Sequence, residues 1–66
     1  MSLNVEVLYD WESWWTIVVD ETERKAGDKL SHDTRAKAIE AAKQYGLPIH
    51  IYTKAHRLLR IKKPPF

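Results

Sequence analysis

The side chains best suited to proton transfer or metal binding in this 66-residue chain are three histidines, His32, His50 and His56, and nine carboxylates. An imidazole can act as acid, base or ligand near neutral pH. A zinc site built on imidazole needs partners at close spacing, such as two histidines one helical turn apart. No pair among these three has that spacing. His32 reads as a residue at a helix entrance, His50 as an outward strand residue and His56 as part of a turn. Cysteine is absent, which removes disulfide staples and Cys-based metal or redox motifs. There is no G-x-S-x-G, no glycine-rich phosphate loop and no H-E-x-x-H. The expectation is a protein that is not an enzyme, with no catalytic residue, no metal and no cofactor.

A second chemistry is offered by "KAHRLLRIKK", residues 54 to 63. Its cations, Lys54, Arg57, Arg60, Lys62 and Lys63, could neutralise phosphates along a nucleic acid, a contact that weakens steeply with salt. Net charge is only +2, but it is lopsided. Residues 1 to 23 carry Glu6, Asp10, Glu12, Asp20, Glu21 and Glu23 with no lysine or arginine, whereas Glu40 is the lone carboxylate after Asp33. Such asymmetry can mark a charged partner. Two plainer readings stand beside it. Acidic and basic strands can lie side by side in one sheet, and lysines on a sheet edge deter unwanted strand pairing.

The third signal is aromatic. In "ESWWTIVVDE", residues 12 to 21, two tryptophans are adjacent. Successive strand side chains point to opposite faces, so one Trp can serve a core while its neighbour faces something else. The reading assigns Trp15, Ile17 and Val19 to the core, with Trp15 against a helix stripe of Ala38, Ile39 and Ala42. Trp14, Thr16 and Val18 then project from the other face. Exposed aromatics in a cluster mark interfaces. Trp14, Val18 and Tyr52 are therefore the expected partner-binding residues, the partner being another protein chain or a second copy of this one.

These residues need a scaffold, and the periods supply one. Leu3, Val5, Val7 and Tyr9 alternate with mostly polar neighbours, as in a half-buried strand. "DWES" is a turn, "WWTIVV" a second strand, and the two form an antiparallel hairpin. A short third strand is expected to end near Leu30, after a turn near Gly27 and Asp28. Asp33 or Thr34 caps a helix running through "TRAKAIEAAKQY", with Ala38, Ile39, Ala42 and Tyr45 as its apolar stripe. Gly46 and Pro48 stop it. Residues 47 to 52 and "LLRIK" read as two more strands, and "KPPF" as an extended tail. The fold class is α+β: a single small antiparallel-rich sheet of four or five strands, in the order β-β-(β)-α-β-β, with one helix on one face. Residues 1–63 form one domain and 64–66 the tail. Such a chain buries only roughly 60% of its unfolded surface, so its margin of stability is narrow. No apolar run is long enough to span a membrane and "MSLNVEV" has no signal-like pattern, so the expected setting is cytoplasmic.

Residues 14 to 65 resemble a family of small bacterial and phage proteins known only as a domain of unknown function. Trp15 and Ile17 match its W-x-V. His32, Thr34, Ala36, Ala38, Ile39 and Ala42 match its H-x-T-x-A-x-A-I-x-x-A, and Pro64 and Pro65 resemble its tail. Two departures stand out: its D-G turn is Ala55-His56 here, and Lys37 replaces the acidic residue of a capping box. The resemblance implies a compact sheet with a helix, a bacterial or phage origin, and no established activity. "WTIVVDETERKAGDKLSHDTRAKAIEAA" is also similar to the arm-binding domains of phage integrases, which read DNA with a basic sheet. Asp20, Glu21 and Glu23 would repel phosphate there, so that likeness argues against this mode of binding.

Overall fold

A computed structural model describes residues 2–66 of the chain. Strand β1 (Leu3–Asp10) turns back into β2 (Ser13–Asp20), followed by β3 (Lys25–His32), helix α1 (Arg35–Lys43), β4 (Ile49–Tyr52) and β5 (Leu58–Lys62). The strands form one sheet in the order β3-β2-β1-β4-β5. Antiparallel pairing joins β1 to β2, β2 to β3 and β4 to β5, but β4 runs parallel to β1. The sheet is therefore mixed, which corrects the expected antiparallel-rich arrangement. The cause lies in the helix. A chain that crosses a sheet through a helix can return in the direction it started, and β4 comes back along the outer side of β1.

The hairpin is tight. Only Trp11 and Glu12 lie between the paired residues Asp10 and Ser13, and both have positive φ, 47° and 60°. Two left-handed residues in a row are the signature of a type I′ turn, whose twist suits a hairpin and which favours Asn-Gly. This connection pairs Tyr9 with Trp14, Val7 with Thr16 and Val5 with Val18. The third strand is a full eight residues long rather than short. It is bulged opposite Val18, where a Cβ on Gly27 would stand 3.4 Å from the Val18 carbonyl oxygen.

Thr34 caps the helix, its hydroxyl accepting from the Lys37 amide at 3.2 Å. Gly46, at φ 66°, takes the left-handed position after the last turn, as glycine does without a Cβ penalty. Ala38 and Ala42 are fully buried. Their small side chains let the helix lie close to Val5, Val7, Ile49 and Ile51, the core of the molecule. Ile39, Tyr45 and Leu47 pack at its margin.

The strand faces are the reverse of those expected. Trp14 is in the core, 8% exposed, together with Thr16 at 0%, and Val18 packs against the same cluster. Trp15, Ile17 and Val19 lie on the opposite face. Both faces of β2 are nearly equally apolar, so alternation alone does not choose between them. Hairpin register does: Val5, Val7 and Tyr9 carry Val18, Thr16 and Trp14 to the helix side.

Candidate functional site

Cross-strand partners point to the same side of a sheet, so the registers map the uncovered face row by row. One row reads Lys29, Ile17, Glu6, His50 and Ile61. The next holds Ser31, Trp15 and Leu8, with Tyr52 beyond on β4. On the other side, Ala26, Val19 and Asn4 align. Among the described residues no second helix lies over this face. It carries an apolar column along β2 (Trp15, Ile17 and Val19), bordered by a carboxylate on β1 and an ammonium on β3.

At the hairpin end, the ring of Trp11 stands edge-on to that of Trp15, centroids 6.2 Å apart at 82°. The Trp15 indole N–H donates to the Asp10 carbonyl at 2.9 Å, which fixes the ring's direction. Trp11 itself is 80% exposed. The two indoles, Leu8, Ile17 and Lys29 frame a hollow of about 130 Å³. Pockets for organic ligands run to roughly 300–1,000 Å³, so this one suits a side chain.

Glu6 accepts from the Tyr52 hydroxyl at 3.4 Å. Burial, then the Glu6 charge and this hydrogen bond, push the Tyr52 hydroxyl above its ordinary value. Among the described residues neither Glu6 nor Lys29 joins an ion pair: the two pairs present, Lys37–Asp33 and Lys43–Glu40, both involve the helix. The acidic β1 and the basic β5 do not lie side by side, because β4 separates them, whereas β2 and β3 set Asp20 opposite Lys25.

Of the residues singled out for partner binding, Trp14 and Val18 belong to the helix side. Tyr9 stands edge-on to Trp14, centroids 5.3 Å apart, and the Arg35 guanidinium lies 5.5 Å over its ring. Tyr52 alone of the three sits on the uncovered face. Trp11 was missed. The signal was its place in a two-residue turn, where a glycine or asparagine is the cheaper residue.

The basic set lies mainly toward the helix side and away from the uncovered face. The Lys54 ammonium lies 4.8 Å over the Tyr9 ring, and Arg57 closes a turn whose backbone bonds to Thr53. Arg60 and Lys62 pair with Ile51 and Ile49 and so lie on the helix side, while Lys63 is in the tail. His56, at φ 61°, donates through Nε2 to the Tyr9 carbonyl at 2.6 Å. His32, His50 and His56 lie on separate elements. Among the described residues no three His, Asp or Glu side chains are grouped to hold a metal ion, and no helix is long and apolar enough to cross a membrane.

Comparison with known family models, curated proteins and solved structures finds no match to this chain.

Proposed function

We propose that this protein is a small non-enzymatic interaction module that binds another protein chain through the uncovered sheet face centred on Trp15. The observation that carries this reading is Trp11. A left-handed backbone costs a bulky residue on the order of 1–2 kcal/mol, and strain of this kind persists at functional sites. Here it holds an indole 80% exposed, edge-on to Trp15 and beside an apolar column. Trp dominates interface energetics, and the hollow beside the two indoles is sized for a side chain. The larger one along the same face, about 500 Å³ between Glu6, Val19, Lys25 and Lys29, is a broad open groove. The resemblance to a family without established activity is compatible with a module of this kind.

The test is a pair of variants. Trp15→Ser melts within a few degrees of the parent and loses its protein association, whereas Trp14→Ala is severely destabilised. A Trp15→Ser protein that retains every association of the parent overturns the reading, as does one destabilised as severely as Trp14→Ala. Binding to duplex DNA that weakens steeply with salt and survives Trp15→Ser would instead move the function to Lys54, Arg57, Arg60, Lys62 and Lys63.

A further inference from the structure

We infer that the occupant of the uncovered face is a second copy of this chain, packed face to face about a two-fold axis that runs along β2. The inference rests on the interaction face proposed above and adds the identity and register of the partner.

Charge placement decides the geometry. Glu6, Ile17 and Lys29 form one row across β1, β2 and β3. Strands lie about 4.8 Å apart, so Glu6 and Lys29 are separated by roughly 10 Å, with Ile17 between them. A two-fold axis along β2 lays β1 of one copy over β3 of the other without shifting the row. Glu6 then meets the partner's Lys29, and Lys29 meets the partner's Glu6. Facing sheets sit about 10 Å apart, a gap that a glutamate and a lysine pointing at each other span. An axis along β1 would instead set Glu6 against the partner's Glu6. An axis across the strands through this row would oppose Glu6 to Glu6 and Lys29 to Lys29. Like charges held in contact are unfavourable, so only the β2 axis joins opposites.

The neighbouring rows agree. Leu8 faces the partner's Ser31 and Asn4 faces the partner's Ala26, so no like charges meet in those rows. On the axis, Trp15, Ile17 and Val19 meet their own copies. The four indoles of Trp11 and Trp15 gather at one end. Aligned sheets cross at about 30°, which tilts each β2 by about half that angle from the axis. The overlap covers three strands, about 14 Å by 27 Å of planar face per copy. That is roughly 380 Å² per copy, below the roughly 800 Å² per partner of a standard interface, so the dimer is weak, forms reversibly and depends on concentration.

The experiment is sedimentation equilibrium from about 10 μM to about 1 mM on the parent, on Glu6→Lys, on Lys29→Glu and on a one-to-one mixture of the two variants. The parent dimerises. Each single variant places like charges together at both contacts and weakens dimerisation at least about tenfold, a coupling of about 1.4 kcal/mol. The mixture restores both opposite-charge contacts and forms a heterodimer as tight as the parent, within about threefold. That recovery also establishes that both variants are folded. A parent monomeric at about 1 mM overturns the second copy while the interaction face keeps its own test. A dimer indifferent to the single variants, or a mixture that stays monomeric, overturns the register. A dimer that survives Trp15→Ser overturns the face itself.

Discussion

The Thr16 hydroxyl donates a 2.8 Å hydrogen bond to the Ala38 carbonyl, wholly buried beneath the helix. This bond ties the middle of β2 to the middle of α1 and marks which side of the strand faces inward. Thr16→Val keeps the shape but removes the donor, and stability falls by about 1–2 kcal/mol. Thr16→Ser keeps the bond and loses one methyl, at a cost of about 1 kcal/mol. Trp14→Ala, which empties the core beside them, costs about 3–5 kcal/mol. Urea denaturation of the three variants checks the order. A Thr16→Val protein as stable as the parent would show that shape rather than this bond secures the helix.

Glu12 is the second left-handed residue of the hairpin turn, at φ 60° and exposed. Glycine removes the Cβ penalty there while raising the entropy of the unfolded chain. The first effect is the larger at such a position, so Glu12→Gly raises stability by about 0.5–1 kcal/mol. Thermal unfolding reads this as a higher midpoint. A lower midpoint would mean that the glutamate makes a contact the turn depends on.

The Tyr52 hydroxyl titrates above its ordinary value of 10.0, first because of burial and then because of the Glu6 carboxylate. A raised pKa means that the folded state favours the neutral hydroxyl. The stability it contributes is present below pH 10 and is lost as pH rises from there through the folded-state value. Tyr52→Phe removes this component, so its stability falls less than the parent's above pH 10. Denaturation at pH 9 and at pH 11 gives the comparison. Equal losses in the two proteins would exclude a coupled Tyr52.

Much of the scaffold is readable from local chemistry. The alternation of Val5, Val7 and Tyr9, the Thr34 cap and the Gly46 stop each act within a few residues, and each stands where it was expected. The sides of β2 were also within reach. A turn of two residues at Trp11 and Glu12 pairs Tyr9 with Trp14, and that pairing sends Trp15 outward. Alternation without the turn leaves the two tryptophans interchangeable. The place of β4 is a different matter. Its parallel contact with β1 joins Val5 to Ile49 across the helix, and no short-range signal encodes which edge a returning strand takes. The placing of Lys54, Arg60 and Lys62 toward the helix side follows from the same docking.

The parallel seam between β1 and β4 bears on how the chain comes to be folded as it is made. β1 is synthesised first yet occupies the middle of the sheet. The β1–β2–β3 meander can form while the remainder is still emerging, because its contacts are close in sequence. Until residues 49 to 52 arrive, one side of β1 has unpaired backbone groups, including the Val5 amide that later donates to the Pro48 carbonyl at 2.9 Å. Val5 and Val7 stand uncovered beside it. Nascent or truncated chains that stop short of β4 therefore present an open, apolar strand edge, the kind of surface that seeds aggregation. Completing the sheet closes that edge, so the late arrival of four residues separates a sticky intermediate from a finished protein.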